Sequence, residues 1–153
     1  MNDNESKKEM LKQNEQKQKM IKKRQNIISE IINTEKTYVQ DLSSCLDTYF
    51  KEFVSSGSAQ PEYLRGKEAV IFGNLEEIYN FHKKTFLVEL ENYENMPEDI
   101  GHCFVVYADQ FQVYVEYCKN KENSTKLLME DGQKDNFFEV STIFLFLFLL
   151  STF

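Results

Sequence analysis

Arg24-Gln-Asn-Ile-Ile-Ser-Glu-Ile-Ile-Asn-Thr-Glu-Lys-Thr-Tyr-Val-Gln-Asp-Leu42 runs on to Phe53 without a Gly or Pro. Within it Ile28, Ile32, Glu35, Val39, Leu42, Leu46, Tyr49 and Phe53 step by 4, 3, 4, 3, 4, 3 and 4 residues. At about 100° per residue these positions form one stripe of a long α-helix. Ile27, Ile31 and Tyr38 widen the apolar arc on one flank. Every position of the seam is apolar except Glu35, which projects within the arc and not on the solvated side. A carboxylate buried alone costs on the order of several kcal/mol. Glu35 therefore needs a partner, supplied by the fold or by another protein.

Outward from this stretch, the pattern stays helical. Ser55-Ser-Gly-Ser-Ala-Gln-Pro61 has the composition of a loop and ends the first helix. A second helical stretch follows, from Pro61 or Gly66 to Tyr93. Its apolar positions include Val70, Ile71, Phe72, Leu75, Ile78, Tyr79, Phe81, Phe86, Leu87 and Leu90, several of them three or four apart. Gly73 inside it predicts a bend or close packing. Pro97-Glu98-Asp99 opens a third helix, because proline and acids suit a first turn. Ile100, Phe104, Tyr107, Phe111, Tyr114 and Cys118 form its stripe and are read as core. Lys119-Asn-Lys-Glu-Asn123 is expected to break it, with Ser124 capping a short fourth helix over Thr125 to Met129.

The two ends differ from this middle. Residues 1–23 are polar, and through Arg24 eight basic residues stand against four acidic ones. A basic arm for membranes or acidic partners is one reading. The preferred one is a solvated helix extension or disorder, since Lys and Glu are interspersed. Residues 130–153 become apolar and end in Ile143-Phe-Leu-Phe-Leu-Phe-Leu-Leu150-Ser-Thr-Phe153. That run is shorter than the ~20 residues a membrane-spanning helix needs. It carries no charge and no Pro, an aggregation-prone composition. It reads as a tail foreign to the preceding fold, with a membrane anchor as the second reading and self-association as a consequence.

Composition narrows the function. A chain of 153 residues holds one domain with a core. Two Pro, five Gly and no Trp fit an all-helical protein. A net charge of −7 argues against nucleic-acid binding, which needs surplus Lys and Arg. Cys45, Cys103 and Cys118 are odd in number and widely spaced, and read as free thiols of a reducing compartment. No N-terminal apolar segment resembles a signal peptide. His82 has no second His or Cys at ligand spacing, so no metal role is assigned to it. Glu76-Glu77 reads as solvated charge. Motifs of phosphate loops, zinc proteases, dithiols and serine hydrolases are absent. No cofactor and no catalytic residue is expected. From the residues alone, the chain is an all-α interaction module with one anomalous acid on its main seam.

Three ordered blocks carry a resemblance. Ile27 to Leu42 resembles the opening signature of Dbl homology domains, the exchange factors for Rho-family GTPases. Ile71-Phe-Gly-Asn-Leu-Glu-Glu-Ile-Tyr-Asn-Phe-His82 resembles their second block. Pro97 to Phe104 with Tyr114 to Lys121 is similar to the Trio and kalirin branch. The resemblance covers residues 24–129 and implies an elongated helical bundle that binds a Rac- or Rho-like GTPase and releases its nucleotide without covalent chemistry. The acid of the family's Thr-Glu-x-x-Tyr signature, which contacts switch I, matches Glu35, with Thr34 and Tyr38 as weaker neighbours. A buried structural acid is the alternative reading of Glu35.

The resemblance implies a cytoplasmic protein, with a peripheral place at the plasma membrane as an extension. The family continues with a Leu-Ile-Lys-Pro-x-Gln-Arg type signature that these 153 residues lack. The expectation is therefore a C-terminally truncated domain, poorly soluble as a monomer and impaired in exchange. A non-catalytic helical interaction protein is the alternative. The fold expected is mostly α, with three long helices near 23–53, 66–93 and 97–120.

Overall fold

The computed structural model describes residues 3–130, and among them every regular element is helical. Helix α1 spans Asp3–Cys45, continues through a π-helical turn at Leu46–Phe50 and ends as α2, Lys51–Ser56. The joints Cys45 and Phe50 keep right-handed helical angles, so the three pieces form one rod. At 1.5 Å per residue the rod is roughly 80 Å long. The helix extension over residues 1–23 thus forms from Asp3, but residues 4–27 are solvent-exposed along its whole length. The rod stops at Gly57, whose φ of 44° is outside the helical range. Buried Gln60 then donates to the Phe53 carbonyl at 2.5 Å, occupying an acceptor the helix end leaves open.

The seam drawn from Ile28 to Phe53 is the core-facing side. Ile28, Ile32, Val39, Leu42, Leu46 and Phe53 are buried, and Tyr49 is half-buried. Of the flanking residues, Ile31 and Tyr38 are half-buried and Ile27 is 46% exposed. The seam serves two apolar clusters. One joins Leu42, Cys45, Leu46 and Phe53 to Leu64, Ile71, Phe72, Leu75, Ile78 and Tyr117. The other joins Ile28 and Ile32 to Phe81, Phe86, Leu90, Ile100 and Cys103. Glu35 falls between Ile32 of the second cluster and Leu42 of the first.

The second stretch is helical but not one helix. It is cut into α3 (Glu68–Phe72), α4 (Leu75–Phe81), a π-helical turn (His82–Phe86) and α5 (Leu87–Asn92). Gly73 makes the first cut with φ 57° and ψ −137°, a region open to glycine. A Cβ there would also stand 3.0 Å from the Asn120 side-chain nitrogen, so the bend and the close packing expected of Gly73 occur together.

The third stretch divides at Tyr107 into α6 (Ile100–Val106), a 3-10 segment (Ala108–Gln112) and α7 (Val113–Glu130). The expected stop at Lys119–Asn123 and the separate fourth helix do not form, and α7 runs through both. The polar residues taken for breakers have partners on α3. Asn120 donates to the Val70 carbonyl at 2.9 Å, and buried Ser124 donates to the Ile71 carbonyl at 2.8 Å. A five-residue helix has more unpaired carbonyls than internal bonds, and α7 satisfies two of them.

The 3-10 segment also shifts the phase of the aromatic stripe. Ile100 and Cys103 are buried before it, and Tyr117, Ser124 and Leu128 after it. Phe104 and Cys118, expected in the core, are exposed, while Tyr107, Phe111 and Tyr114 are half-buried. Among the described residues, no helix is long and apolar enough to cross a membrane. The reading of 130–153 as a foreign tail falls, from residue 131 onward, outside the described residues.

Candidate functional site

The partner Glu35 requires is His82. One Glu35 carboxylate oxygen lies 2.5 Å from His82 Nδ1, with the two side chains 11% and 4% exposed. On the other edge of the ring, Nε2 is 2.7 Å from the Tyr114 hydroxyl. That hydroxyl is in turn 2.8 Å from the hydroxyl of Tyr38. Four polar side chains from α1, the π-helical turn and α7 thus form one connected line at the junction of the two apolar clusters.

Aromatic edges fix the His82 ring. The Tyr38 and Phe81 centroids are each 4.9 Å from it, at interplanar angles of 80° and 71°. Phe86 and Phe111 approach within 5.8 and 6.0 Å. Burial is the first cause that pushes both tyrosine hydroxyls above their ordinary titration range. At Tyr114 the bond to Tyr38 adds to the shift; at Tyr38 the bond to Tyr114 opposes it and the nearby Glu35 charge adds to it. Both stay protonated donors at neutral pH, as the line requires.

The line forms part of one wall of a cleft of about 570 Å³. Thr34, Glu35, Thr37, Tyr38 and Asp41 line it from α1, Phe104 from α6, Phe111 from the 3-10 segment, and Tyr114 and Cys118 from α7. The stripe Phe104–Phe111–Tyr114–Cys118 therefore lines a cleft, and within it Phe111 and Tyr114 also pack against the second and first apolar clusters. The three residues singled out on α1 are brought together here: Thr34 exposed at the mouth, Tyr38 half-buried, and Glu35 with one oxygen engaged. Thr37 donates to the Asn33 carbonyl at 3.0 Å, a bond within its own helix.

His82 and Tyr114 are the site residues the sequence reading did not assign. A signal was available for His82. Leu75, Ile78, His82 and Phe86 step by 3, 4 and 4, so His82 is the lone titratable group on its own apolar stripe, as Glu35 is on its stripe. Two such anomalies on facing helices satisfy each other. Tyr114 carried no comparable signal, since a tyrosine on an aromatic stripe is unexceptional. Among the described residues, no group of His, Cys, Asp and Glu is placed to hold a metal ion.

Residues 27–143 match the RhoGEF domain, and the chain belongs to that family. It is 42% identical over 106 residues to the human guanine nucleotide exchange factor DBS, covering 68% of this chain and 9% of that protein. It is 35% identical over 125 residues to human Rho guanine nucleotide exchange factor 25, covering 82% of this chain and 21% of that protein. Human proto-oncogene DBL is 41% identical over 101 residues, covering 65% of this chain and 11% of that protein. The chain thus spans between 9% and 21% of the length of these relatives. The relatives' names support the family and not the narrower Trio and kalirin branch.

Proposed function

We propose that this chain docks a Rac- or Rho-like GTPase in the cleft that carries Glu35, and that docking favours the nucleotide-free state of that partner. Family membership over residues 27–143 carries the reading. The geometry supports it, because the signature acid lines an open cleft and has only one oxygen assigned to His82. Thr34 and Tyr38 flank Glu35 as secondary contacts.

The mechanism is linkage, with no bond made or broken on this chain. A protein that binds the nucleotide-free, switch-displaced GTPase more tightly lowers nucleotide affinity by the same factor. An acceptor held in one place suits this task, since it adds attraction without first having to be ordered. The 153 residues hold no Leu-Ile-Lys-Pro-x-Gln-Arg type segment. Such a partner places the site of action in the cytoplasm, extending to the inner face of the plasma membrane. The Trio and kalirin branch is not needed for this reading, which rests on the family.

Isothermal titration of the chain with nucleotide-free and GDP-loaded Rac and Rho tests it. Tighter binding to the nucleotide-free form supports linkage. Equal affinity for the two forms overturns linkage and leaves the second reading, a helical interaction protein without exchange.

A further inference from the structure

We propose that His82 is a positioning residue for the Glu35 contact: it clamps one carboxylate oxygen so that the other is presented to the cleft, with Tyr114 and Tyr38 fixing its tautomer. The inference rests on the docking role proposed for Glu35, and assigns that role its supporting device.

Donor bookkeeping orders the line. An ionised carboxylate only accepts, so the proton between Glu35 and His82 belongs to Nδ1. Taken as neutral, the imidazole offers a lone pair at Nε2, to which the Tyr114 hydroxyl 2.7 Å away donates. The Tyr114 oxygen is left to accept from Tyr38 at 2.8 Å. Three donors point one way and end on the single acceptor-only group. The opposite tautomer would set a bare Nδ1 lone pair against the carboxylate at 2.5 Å, which repels. The line is therefore directional, and Glu35 is its terminus.

Placement supports the same conclusion. His82 opens a π-helical turn, a wide turn often found at functional sites. Its ring is held edge-on by aromatic neighbours, so the clamp has little freedom to swing. Thr34 and Glu35 are on α1 while the clamp comes from the second stretch, which makes the presentation of Glu35 depend on packing between the two.

The test uses the full chain with three variants. His82→Asn keeps a donor at the Nδ1 position, His82→Leu removes it, and Tyr114→Phe removes only the far end. The imidazole nitrogen NMR spectrum of the parent is expected to place the proton on Nδ1. Affinity for nucleotide-free Rac or Rho is expected to fall about tenfold or more in His82→Leu, the scale of a lost bond to a charged group. His82→Asn is expected to recover most of that loss. In a Glu35→Ala background His82→Leu is expected to change affinity less than about twofold, because it acts only through Glu35. Equal losses in the two backgrounds overturn the proposal, as does a proton found on Nε2. If His82→Leu does not fold, the same comparison is made with His82→Ala, which also removes the donor. If the parent binds neither GTPase, the docking role falls. The clamp is then decided by the Glu35 carboxyl carbon resonance: a shift in whichever of His82→Leu and His82→Ala folds supports it, and an unmoved resonance overturns it.

Discussion

Replacing Glu35 by alanine separates a paired acid from a tolerated one. If the carboxylate were an unpaired charge kept for binding, its removal would relieve a desolvation cost and stabilise the fold. In the structure its removal strands the Nδ1–H of a side chain only 4% exposed, on a ring walled by aromatic edges. A buried donor left without an acceptor costs about 1–3 kcal/mol. Cleft water reaching the vacated space holds the figure toward the middle, about 2 kcal/mol. For a domain of this size that is a fall in Tm of about 6 °C. Glu35→Gln keeps an acceptor oxygen for His82 and is expected to cost under about 1 kcal/mol. Thermal unfolding followed by far-ultraviolet circular dichroism measures both. A Glu35→Ala variant as stable as the parent, or more so, would refute the pairing.

Leu42→Ala, at a side chain with 0% exposure in the first cluster, is expected to destabilise by about 2–5 kcal/mol in urea unfolding. Gly73→Ala combines a positive φ with a Cβ 3.0 Å from Asn120, and is expected to cost about 1–3 kcal/mol; Gly66→Ala, where a Cβ meets nothing within 4 Å, is expected to cost less in the same assay. Burial pushes the Cys45 thiol from 9.0 up to about 12, and Cys103 is buried, so near neutral pH a thiol reagent should label exposed Cys118 quickly and the other two on unfolding. Because the folded chain holds the Cys45 proton more tightly than the unfolded one, that contribution is intact below about pH 9 and is lost as the pH rises toward 12. The raised tyrosines Tyr38, Tyr114 and Tyr117 act in the same direction, so Tm should fall on the alkaline side.

The first helix was legible because its signal is local. A seam repeated at 4 and 3 over 26 residues fixes both the element and its buried face, and Ile28 to Phe53 are placed accordingly. The second and third stretches were legible as helix but not as lengths. Their breaks depend on contacts between stretches, such as Asn120 and Ser124 reaching the carbonyls of α3. In sequence those same polar residues resemble a helix end. The site shows the same division. Glu35 declared itself by violating its stripe, and the need for a partner followed from the energy of a buried charge. The identity of that partner, 47 positions away, came only with the packing of α1 against the turn at His82. Tyr114 packs against the first cluster as its stripe implied, but that stripe could not show that the same side chain also walls the cleft.

Glu35→Gln tests the docking role most directly, since it removes the charge while keeping the bond to His82. Its affinity for nucleotide-free Rac or Rho is measured beside its melting curve. A variant that melts like the parent and binds about tenfold more weakly is the expected result, the scale of one charge-assisted bond. A variant that melts like the parent and binds equally well would place the GTPase somewhere other than this cleft.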